Sequence, residues 1–498
     1  MMHFSKTFSP LRVWRINSQL KKYLSFSIIA VSLSGCLSVS ELESDFAPSN
    51  SPQTVDTVQQ NDARAKLGAQ QHPRIVESYG GEYQNLGTSR MMARIVGILT
   101  TVSENPLQSY RITILDSPTV NAFALPGGYL YVTRGLLALA NDEAEVAAVI
   151  SHEMAHVIAN HGIQRQQQQD AALIAGQVVS EILSGRLASS SVLARNKLRL
   201  AAFSRRQELQ ADEIGIRMLA QAGYDPFASV RFLKSLESYG SFASKAASGL
   251  NFLSSHPSTP KRRAAASNHA AKFVSPNSET KNRDAFLADL NGLTFGDNAQ
   301  HGYVRGRTFL HEDLGIRFDV PKGFEIDNTS DAVLANGPND VATQFDAVEA
   351  KAGSSLRTYI LDGWITGLNP ATIRDTSING LPALTARASA DQWIFDVTII
   401  RYKEFYYRFL TAVPKNKARS LLVAKDIAGS FRALTDGEKK ELQPLRIQIV
   451  KVGPTDTLAS LAAMMEGTTR KTDLFRVLNA LSLGQQVPVG SLVKIIAD

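Results

Sequence analysis

The stretch Ser151-His152-Glu153-Met154-Ala155-His156-Val157-Ile158-Ala159-Asn160-His161 decides the fold of the region around it. It closes a run that starts near Asp142, in which apolar residues supply one side and no Gly or Pro interrupts. This pattern predicts one helix from about Asp142 to His161. In such a helix, His152 and His156 lie one above the other on the same face.

Two imidazoles at this spacing can hold one zinc ion. Glu153 lies next to the first imidazole, where its carboxylate can reach a water at the metal without ligating it. The structural alternative is a helix that happens to carry two histidines, since a bare His-Glu-x-x-His is a modest signal. Burying two histidines and a glutamate on a largely apolar helix would be costly without a metal or partner, which favours the metal site.

A third ligand is predicted in the stretch from Phe203 to Glu213, which has a helical composition. Glu208 would complete a His₂Glu set, one of the standard sets of catalytic zinc sites, and leave one position for water. Asp212 lies one turn further on and can hydrogen-bond the outer nitrogen of a liganding histidine. The alternative is a solvated charged face, which explains the pairing of Glu208 with the upstream motif poorly.

Three strands are predicted before the metal helix, over Tyr110–Leu115, Thr119–Leu125 and Tyr129–Thr133, with Pro126-Gly127-Gly128 as a turn. The second of them contains the segment Asn121, Ala122, Phe123 and Ala124. A strand in this position can act as an edge to which an extended peptide adds through main-chain hydrogen bonds. An ordinary sheet strand is the alternative.

These motifs together resemble the HtpX-type zinc metallopeptidases. The resemblance rests on the His-Glu-x-x-His motif, on Ser204-Arg205-x-x-Glu208-x-x-Ala211-Asp212, on Asn121-Ala122-Phe123-Ala124 and on Ser255-His256-Pro257-x-x-x-x-Arg262. It covers about residues 70 to 270. The integral-membrane members have spanning helices and this chain shows none after its leader, so it looks like the soluble, periplasmic BepA-like branch.

The resemblance implies that His256 and Arg262 lie near the metal. Pro257 disfavours helix at His256, which places this histidine on a loop that can approach the site. Two roles stay open: His256 can occupy a fourth zinc position and keep the resting enzyme silent, or it can stabilise the oxyanion together with Arg262. We favour the first role because the chain has no recognisable propeptide.

The first 36 residues are typical of a lipoprotein signal peptide. Basic residues precede an apolar stretch from about Tyr23 to Leu33, and Leu33-Ser34-Gly35-Cys36 resembles the bacterial lipobox. Cys36, the only cysteine, is therefore predicted to carry a lipid, and Leu37 after it suggests the outer membrane. An uncleaved or ordinary secretory signal is the alternative.

Without this leader the chain is nearly neutral. The leader holds five of the 53 basic residues, which leaves 48 against 46 acidic ones, so nothing indicates a nucleic-acid partner. Length suggests roughly three domains. Residues 37–70 are predicted as a flexible tether, 71–272 as the peptidase domain and 273–305 as a linker with a short helix near Asp284 to Leu290.

Two further domains are predicted after the linker. Residues 306–434 alternate strand-like runs with helices near Leu356 to Gly367 and Ala418 to Phe431, which reads as an accessory α+β sandwich. In that region His311 is expected to be a surface or capping residue. Residues 443–498 read as strand, helix, helix, strand and resemble a LysM module, the small fold that binds peptidoglycan; simple packing on a neighbour is the alternative.

The sequence thus predicts an α+β protein: a mainly helical gluzincin-type metallopeptidase domain with a small sheet, a sandwich and a LysM-like βααβ module. The predicted function is a lipid-anchored periplasmic zinc endopeptidase that degrades unfolded or misassembled envelope proteins. Two alternatives are a cell-wall-binding assembly factor with a weak or regulatory site, and a chaperone that cleaves only failed substrates.

Overall fold

The computed structural model describes residues 63–165, 204–243, 252–273, 282–329, 332–351, 353–365, 367–390 and 392–498. The predicted leader, Cys36, most of the predicted tether and the segment after the metal helix from residue 166 to 203 lie outside the described residues. The described chain contains both helices and sheets, as the α+β prediction requires. None of the described helices is both long and apolar enough to cross a membrane.

The helices of the described chain are α1 (Ala63–Ser78), α2 (Leu86–Thr101), α3 (Arg134–Leu139), α4 (Glu143–Ile158), α5 (Arg205–Gln221), α6 (Ala228–Ala243), α7 (Phe252–Ser255), α8 (Pro260–Ala271), α9 (Arg283–Leu290), α10 (Leu356–Tyr359), α11 (Leu422–Gly429), α12 (Asp436–Glu441), α13 (Leu458–Ala463) and α14 (Lys471–Leu478). The strands are β1 (Arg111–Leu115), β2 (Ala122–Leu125), β3 (Tyr129–Thr133), β4 (Tyr303–Arg305), β5 (Thr308–His311), β6 (Ile316–Asp319), β7 (Glu325–Asn328), β8 (Val333–Asn336), β9 (Ala342–Glu349), β10 (Leu368–Ile378), β11 (Leu381–Ala390), β12 (Trp393–Tyr402), β13 (Phe405–Pro414), β14 (Arg432–Ala433), β15 (Arg446–Lys451) and β16 (Leu492–Ala497). They form two compact units, a smaller unit of residues 298–443 and a larger unit of the described residues in 63–297 and 444–498.

A three-stranded sheet in the order β1-β3-β2 lies in the larger unit. β1 runs parallel to β3, and β2 runs antiparallel to β3 and forms an edge of the sheet. The turn between β2 and β3 needs glycine at Gly128, because its φ is 90° and a Cβ there would lie 2.2 Å from the carbonyl oxygen of Ser109. The edge strand is thus the segment predicted to receive an extended peptide.

Helix α1 begins at Ala63, inside the stretch 37–70 that was predicted as a tether, so the predicted end of the tether is wrong. Arg64, Ala65 and Gly68 are buried, and a Cβ on Gly68 would lie 2.5 Å from both the Pro126 carbonyl oxygen and the Tyr129 ring. Close packing against the β2–β3 turn therefore orders the chain from Ala63. The polar composition that suggested a tether gave no sign of this contact.

The metal helix α4 is shorter than the sequence predicted. It ends at Ile158, and Asn160 adopts a left-handed conformation with a φ of 53°. Asparagine tolerates this conformation better than most residues, so the chain turns here without a glycine. His161 therefore starts a new helical turn instead of continuing α4.

The C-terminal residues and the predicted linker share one hydrophobic core with the metal helix. Ile447, Phe475 and Ile495 belong to the same buried cluster as Met154 on α4 and Phe286 on α9. The segment after α9 pairs with β15, since the Phe295 N–H donates to Leu445 O (2.7 Å) and the Ile447 N–H donates to Leu293 O (2.8 Å). Residues 283–297 thus pack into the larger unit, whereas the sequence predicted them within a linker.

The C-terminal stretch has the predicted order of elements, β15, α13, α14 and β16. Its two strands pair antiparallel, with Ile447 opposite Ile496 and Val450 opposite Val493. The identity of this βααβ arrangement as a LysM module stays a prediction.

The smaller unit contains a seven-stranded sheet in the order β10-β11-β12-β13-β9-β8-β7 and a four-stranded sheet in the order β14-β6-β5-β4. Phenylalanines from both sheets and from the chain after α11 fill its core, among them Phe318, Phe345 and Phe431. The two predicted helices are shorter than expected. One is α10 followed by a π-helical turn over Ile360–Trp364, in which Gly363 has a φ of 84°. The other is a 3₁₀ turn over Lys415–Leu421 that leads into α11.

Candidate metal centre

Helix α4 presents His152 and His156 to the interior of the larger unit. The helix begins at the N-cap Asp142, whose side chain accepts the Glu145 N–H (2.8 Å). Every residue from Glu143 to His156 is buried. Because α4 is covered all round, its two histidines must face other polar groups.

Helix α5 brings Glu208 to the histidine pair. A capping box of Ser204 and Gln207 fixes the start of α5, so Glu208 lies in its first turn. Further along, a Cβ placed on Gly215 would lie 3.1 Å from the His152 backbone nitrogen and 3.2 Å from its Cα. The absence of a side chain at Gly215 therefore lets α5 cross α4 at the level of the first histidine.

His256 reaches the same place from the chain after α7. The backbone N–H of His256 donates to Phe252 O (2.8 Å), and the His256 ring stacks on the Phe252 ring with centroids 4.5 Å apart. The following Pro257 ends this turn, and Thr259 then caps α8. His256 thus lies outside the helices, as predicted, and its imidazole is fully buried.

Four side chains converge on one point: His152, His156, Glu208 and His256. The Nε2 atoms of His152 and His156 lie 3.1 Å apart, and His256 Nδ1 lies 3.3 Å from His152 Nε2. The Glu208 carboxylate lies 3.6 Å from His152 Nε2, 3.5 Å from His156 Nε2 and 2.9 Å from His256 Nδ1.

This cluster could bind a metal ion. Four ligands at about 2.0–2.1 Å from a tetrahedral ion are separated by about 3.3 Å, and the measured separations scatter around that value. Buried imidazole nitrogens and a carboxylate are also the ligand set that suits zinc. The sequence had predicted three of these groups as ligands and the fourth as a possible one.

Asp212 and Arg262 form a second layer behind the ligands. Asp212 Oδ1 lies 3.0 Å from His152 Nδ1, so the other nitrogen of that ring faces the cluster. Arg262 donates through Nε and Nη2 to the two Asp212 oxygens (2.6 and 2.8 Å). Its Nη1 lies 2.6 Å from Glu208 Oε2, so the two side chains form an ion pair. Although burial alone would raise it, these hydrogen bonds lower the pKa of Asp212 to about 2.

The contacts of Arg262 bear on its predicted oxyanion role, which stays a prediction. Arg262 is only 4% exposed, and its guanidinium is engaged by two carboxylates and by the carbonyl oxygen of His256 (3.3 Å). The family resemblance implied that Arg262 lies near the metal, but it could not show that Asp212 and Glu208 both contact this side chain.

Glu153 lies beside the cluster and outside the set of four. Its side chain is 1% exposed, and its Oε1 lies 3.5 Å from His256 Nε2. Burial raises the pKa of Glu153. A carboxylate in this position can exchange a proton with a group held at the cluster.

His161 is a site residue that the sequence analysis did not assign. Its Nδ1 lies 3.0 Å from His156 Nδ1, and its Nε2 lies 3.3 Å from Gln210 Oε1 on α5. It therefore orients His156 as Asp212 orients His152. Its position five residues after His156 was the one sequence signal for a role at the site. In the continuous helix that the sequence predicted, however, His161 would point away from His156.

A cleft beside the cluster runs along the end of the edge strand. It is lined by Ala124 and Leu125 of β2, by Gly127 and by His156 and Val157 of α4. Of the predicted substrate segment, Ala122, Phe123 and Ala124 lie in β2, while Asn121 precedes it and donates from its side chain to Tyr79 Oη (3.1 Å). The edge strand and the cluster thus border the same cleft.

Comparison with known proteins matches residues 88–270 to the family described as Peptidase family M48. The mitochondrial metalloendopeptidase OMA1 of Schizosaccharomyces pombe is 32% identical over 203 residues, which cover 40% of this chain and 57% of that protein. The beta-barrel assembly-enhancing protease of Yersinia pestis is 26% identical over 311 residues, 57% of this chain and 62% of that protein. The chain thus spans less than two thirds of the length of either relative.

Among solved structures, the solution structure of the cyanobacterial PsbP of Synechocystis is 12% identical and has a TM-score of 0.22. That likeness covers 28% of this chain and 98% of the other, and it is too weak to support an argument.

Proposed function

Since residues 88–270 form a domain of peptidase family M48, we propose that this chain is a zinc-dependent endopeptidase of the bacterial envelope. The observation that carries the proposal is the buried cluster of His152, His156, Glu208 and His256 with Glu153 beside it. No other arrangement in the described residues brings three or more potential metal ligands together.

His152, His156 and Glu208 would hold the zinc ion, one per chain. The ion would supply a Lewis acid that polarises the scissile carbonyl group and makes a water molecule more acidic. Asp212 and His161 hold the two imidazoles in orientation. Arg262 holds Asp212 by charge-assisted hydrogen bonds and Glu208 by an ion pair. Arg262 is thus a positioning residue in this proposal.

Glu153 would act as the general base and then as the general acid. It takes a proton from the attacking water and passes it to the nitrogen of the leaving amine. Because burial raises its pKa, a protonated Glu153 is easier to form here than in water, which suits a group that must hold a proton between two steps.

The edge strand β2 would hold the substrate backbone. Its outer edge has no neighbouring strand in the three-stranded sheet, so an extended peptide can pair with it next to the cluster. Main-chain pairing of this kind selects for unfolded segments, because folded substrates have their own main-chain groups paired.

His256 would occupy the fourth position around the ion in the resting state. Its Nδ1 faces the three ligands, and its Nε2 lies toward Glu153. A histidine in this position excludes water from the cluster until substrate arrives. The geometry supports this role better than the oxyanion role, because the imidazole points at the ligands.

The substrates we propose are unfolded or misassembled envelope proteins. This rests on the printed name of the Yersinia pestis relative, a beta-barrel assembly-enhancing protease, and on the predicted lipoprotein leader with Cys36. A periplasmic location with a lipid anchor in the outer membrane follows from the same leader. A role for residues 443–498 in binding peptidoglycan belongs to the same proposal.

Replacing Glu153 with glutamine tests the mechanism. We expect zinc content to stay at one per chain while casein cleavage falls by about 10²-fold or more, because the amide cannot accept the proton. The matched variant His152→Ala should instead lose the metal, measured by elemental analysis. Full cleavage by the Glu153→Gln protein would defeat the proposal.

A second candidate function is cell-wall binding coupled to envelope assembly. The observation that favours it is the βααβ order of residues 446–497, with its two strands paired antiparallel. Sedimentation of the full chain with purified peptidoglycan tests it, with the Glu153→Gln protein as the catalytically silent form. If the chain does not cosediment with peptidoglycan, the cell-wall-binding function is ruled out and the peptidase function remains.

A further inference from the structure

Lys494 is a fully buried lysine in strand β16, far in sequence from the metal helix. Its Nζ donates to the carbonyl oxygens of Ala138 (2.8 Å), Leu139 (3.2 Å) and Ala140 (2.6 Å). An ammonium group has three N–H donors, so all of them are used at this one place.

The three carbonyl groups are those at the C-terminal end of α3. The last carbonyl groups of a helix have no partner within the helix, and its C-terminal end attracts positive charge. Lys494 therefore caps α3 from another part of the chain. No residue of α3 itself supplies a basic group in its last turn.

Helix α4 starts directly after these carbonyl groups. The Asn141 N–H donates to Glu145 Oε2 (2.9 Å), and Asn141 Nδ2 donates to Leu139 O (3.0 Å). With the cap from Asp142 to Glu145, these bonds make the α3–α4 junction one connected network. His152 follows Glu145 by seven residues, which is two helical turns.

The lysine itself is held rigidly. The Asn479 side chain accepts the Lys494 N–H (2.8 Å) and donates to Lys494 O (2.9 Å), which fixes the backbone from the end of α14. Burial lowers the pKa of Lys494 and raises that of Glu145, and the opposite charges offset part of the cost of burying both.

We infer that Lys494 is a positioning residue of the peptidase site and that residues 444–498 are an integral part of the catalytic unit. The lysine fixes the α3–α4 junction and through it the orientation of the helix that carries His152, Glu153 and His156. This inference rests on the proposed peptidase function, and it goes beyond a C-terminal module that only binds cell wall.

The test is Lys494→Met in the full chain, which keeps most of the side-chain volume and removes the three donors. We expect amide hydrogen exchange over residues 141–148 to become at least about tenfold faster, with the exchange of β1 and β3 unchanged. Zinc affinity should fall by about tenfold, and kcat should fall with little change in KM, because the substrate strand is not touched.

Two further variants separate positioning from general stability. Lys494→Gln can keep part of the donor set, so its exchange over 141–148 should be faster and its zinc affinity lower than in the wild type, with both changes smaller than in Lys494→Met. The comparison with the wild type alone still decides if the methionine variant fails to fold. Ile447→Ala removes apolar packing from the paired strand without touching the three carbonyl groups, and it should lower the melting temperature while leaving zinc affinity unchanged.

The inference is overturned if exchange over 141–148 stays at the wild-type rate, or if it rises equally across the whole larger unit. It is also overturned if folded Lys494→Met binds zinc and turns over substrate like the wild type. The exchange and zinc-affinity outcomes do not depend on the Glu153→Gln result, so failure of the peptidase mechanism would be seen separately.

Discussion

Gly215→Ala is expected to disturb the metal centre although the substitution is small and lies in a helix. The new Cβ would lie 3.1 Å from the His152 nitrogen, 3.2 Å from its Cα and 3.2 Å from the Ser151 carbonyl carbon. Ordinary contacts between such atoms are about 3.5–4.0 Å, so α5 and α4 would have to separate by roughly 0.4 Å. All three atoms belong to the backbone of α4 and cannot rotate away.

The magnitude follows from two opposing terms. Alanine stabilises a helix by about 0.5–1 kcal/mol relative to glycine, while overpacking a tight contact costs about 1–3 kcal/mol. The net effect on the free energy of unfolding is therefore a loss of about 1 kcal/mol. Glu208 moves with α5, and metal sites tolerate ligand displacements of only about 0.2 Å, so zinc affinity should fall by about tenfold.

Denaturant unfolding of the metal-free protein measures the first quantity, and competition with a chelator measures the second. Gly97→Ala is the matched control, because Gly97 lies in helix α2 with nothing within 4 Å of a Cβ. It should stabilise the protein by about 0.5–1 kcal/mol and leave zinc affinity unchanged. If Gly215→Ala behaves like this control, the helix crossing does not set the position of Glu208.

Three further outcomes are expected. His256→Ala should keep zinc and raise basal casein cleavage; lower basal cleavage would return His256 to the oxyanion role. Cys36→Ser should abolish labelling by a palmitate analogue, and an unlabelled wild-type protein would rule the lipid out. Burial lowers the pKa of His311 to about 4, so the unfolded chain binds a proton between pH 6.5 and 4 that the folded chain does not. Stability of the smaller unit should therefore fall by up to about 3 kcal/mol over this range. His311→Asn should flatten that fall in unfolding curves followed by Trp364 and Trp393 emission; equal slopes would contradict it.

The sequence predicted those parts of the site that depend on local spacing. His152, Glu153 and His156 follow from helical periodicity, and Glu208 and Asp212 repeat the same four-residue spacing on a second helix. The edge strand followed from its strand-like composition and from the turn Pro126-Gly127-Gly128 after it. Each of these features is set by residues within about two helical turns of one another.

The remaining features depend on contacts between distant residues. No local sequence pattern predicts three of them. These are the contacts of Arg262 with Asp212 and Glu208, the turn at Asn160 that places His161 beside His156, and the contacts of Lys494 with the end of α3. Lys494 lies between apolar neighbours in β16 and reads as an ordinary strand lysine. Only the burial of the C-terminal stretch against the metal helix gives it a role.

The larger unit is built from two stretches of chain with the smaller unit inserted between them. The ends of the insertion leave from adjacent backbone positions, since Phe295 and Leu445 are hydrogen-bonded to each other. Deleting 298–443 and joining the ends by a short loop would therefore leave the hydrogen-bond partners of the larger unit in place. The insertion also separates the two stretches of the larger unit in the order of synthesis. The surroundings of the metal helix are completed only when β16 has been made, so the N-terminal stretch alone lacks the contacts of Lys494 with the end of α3.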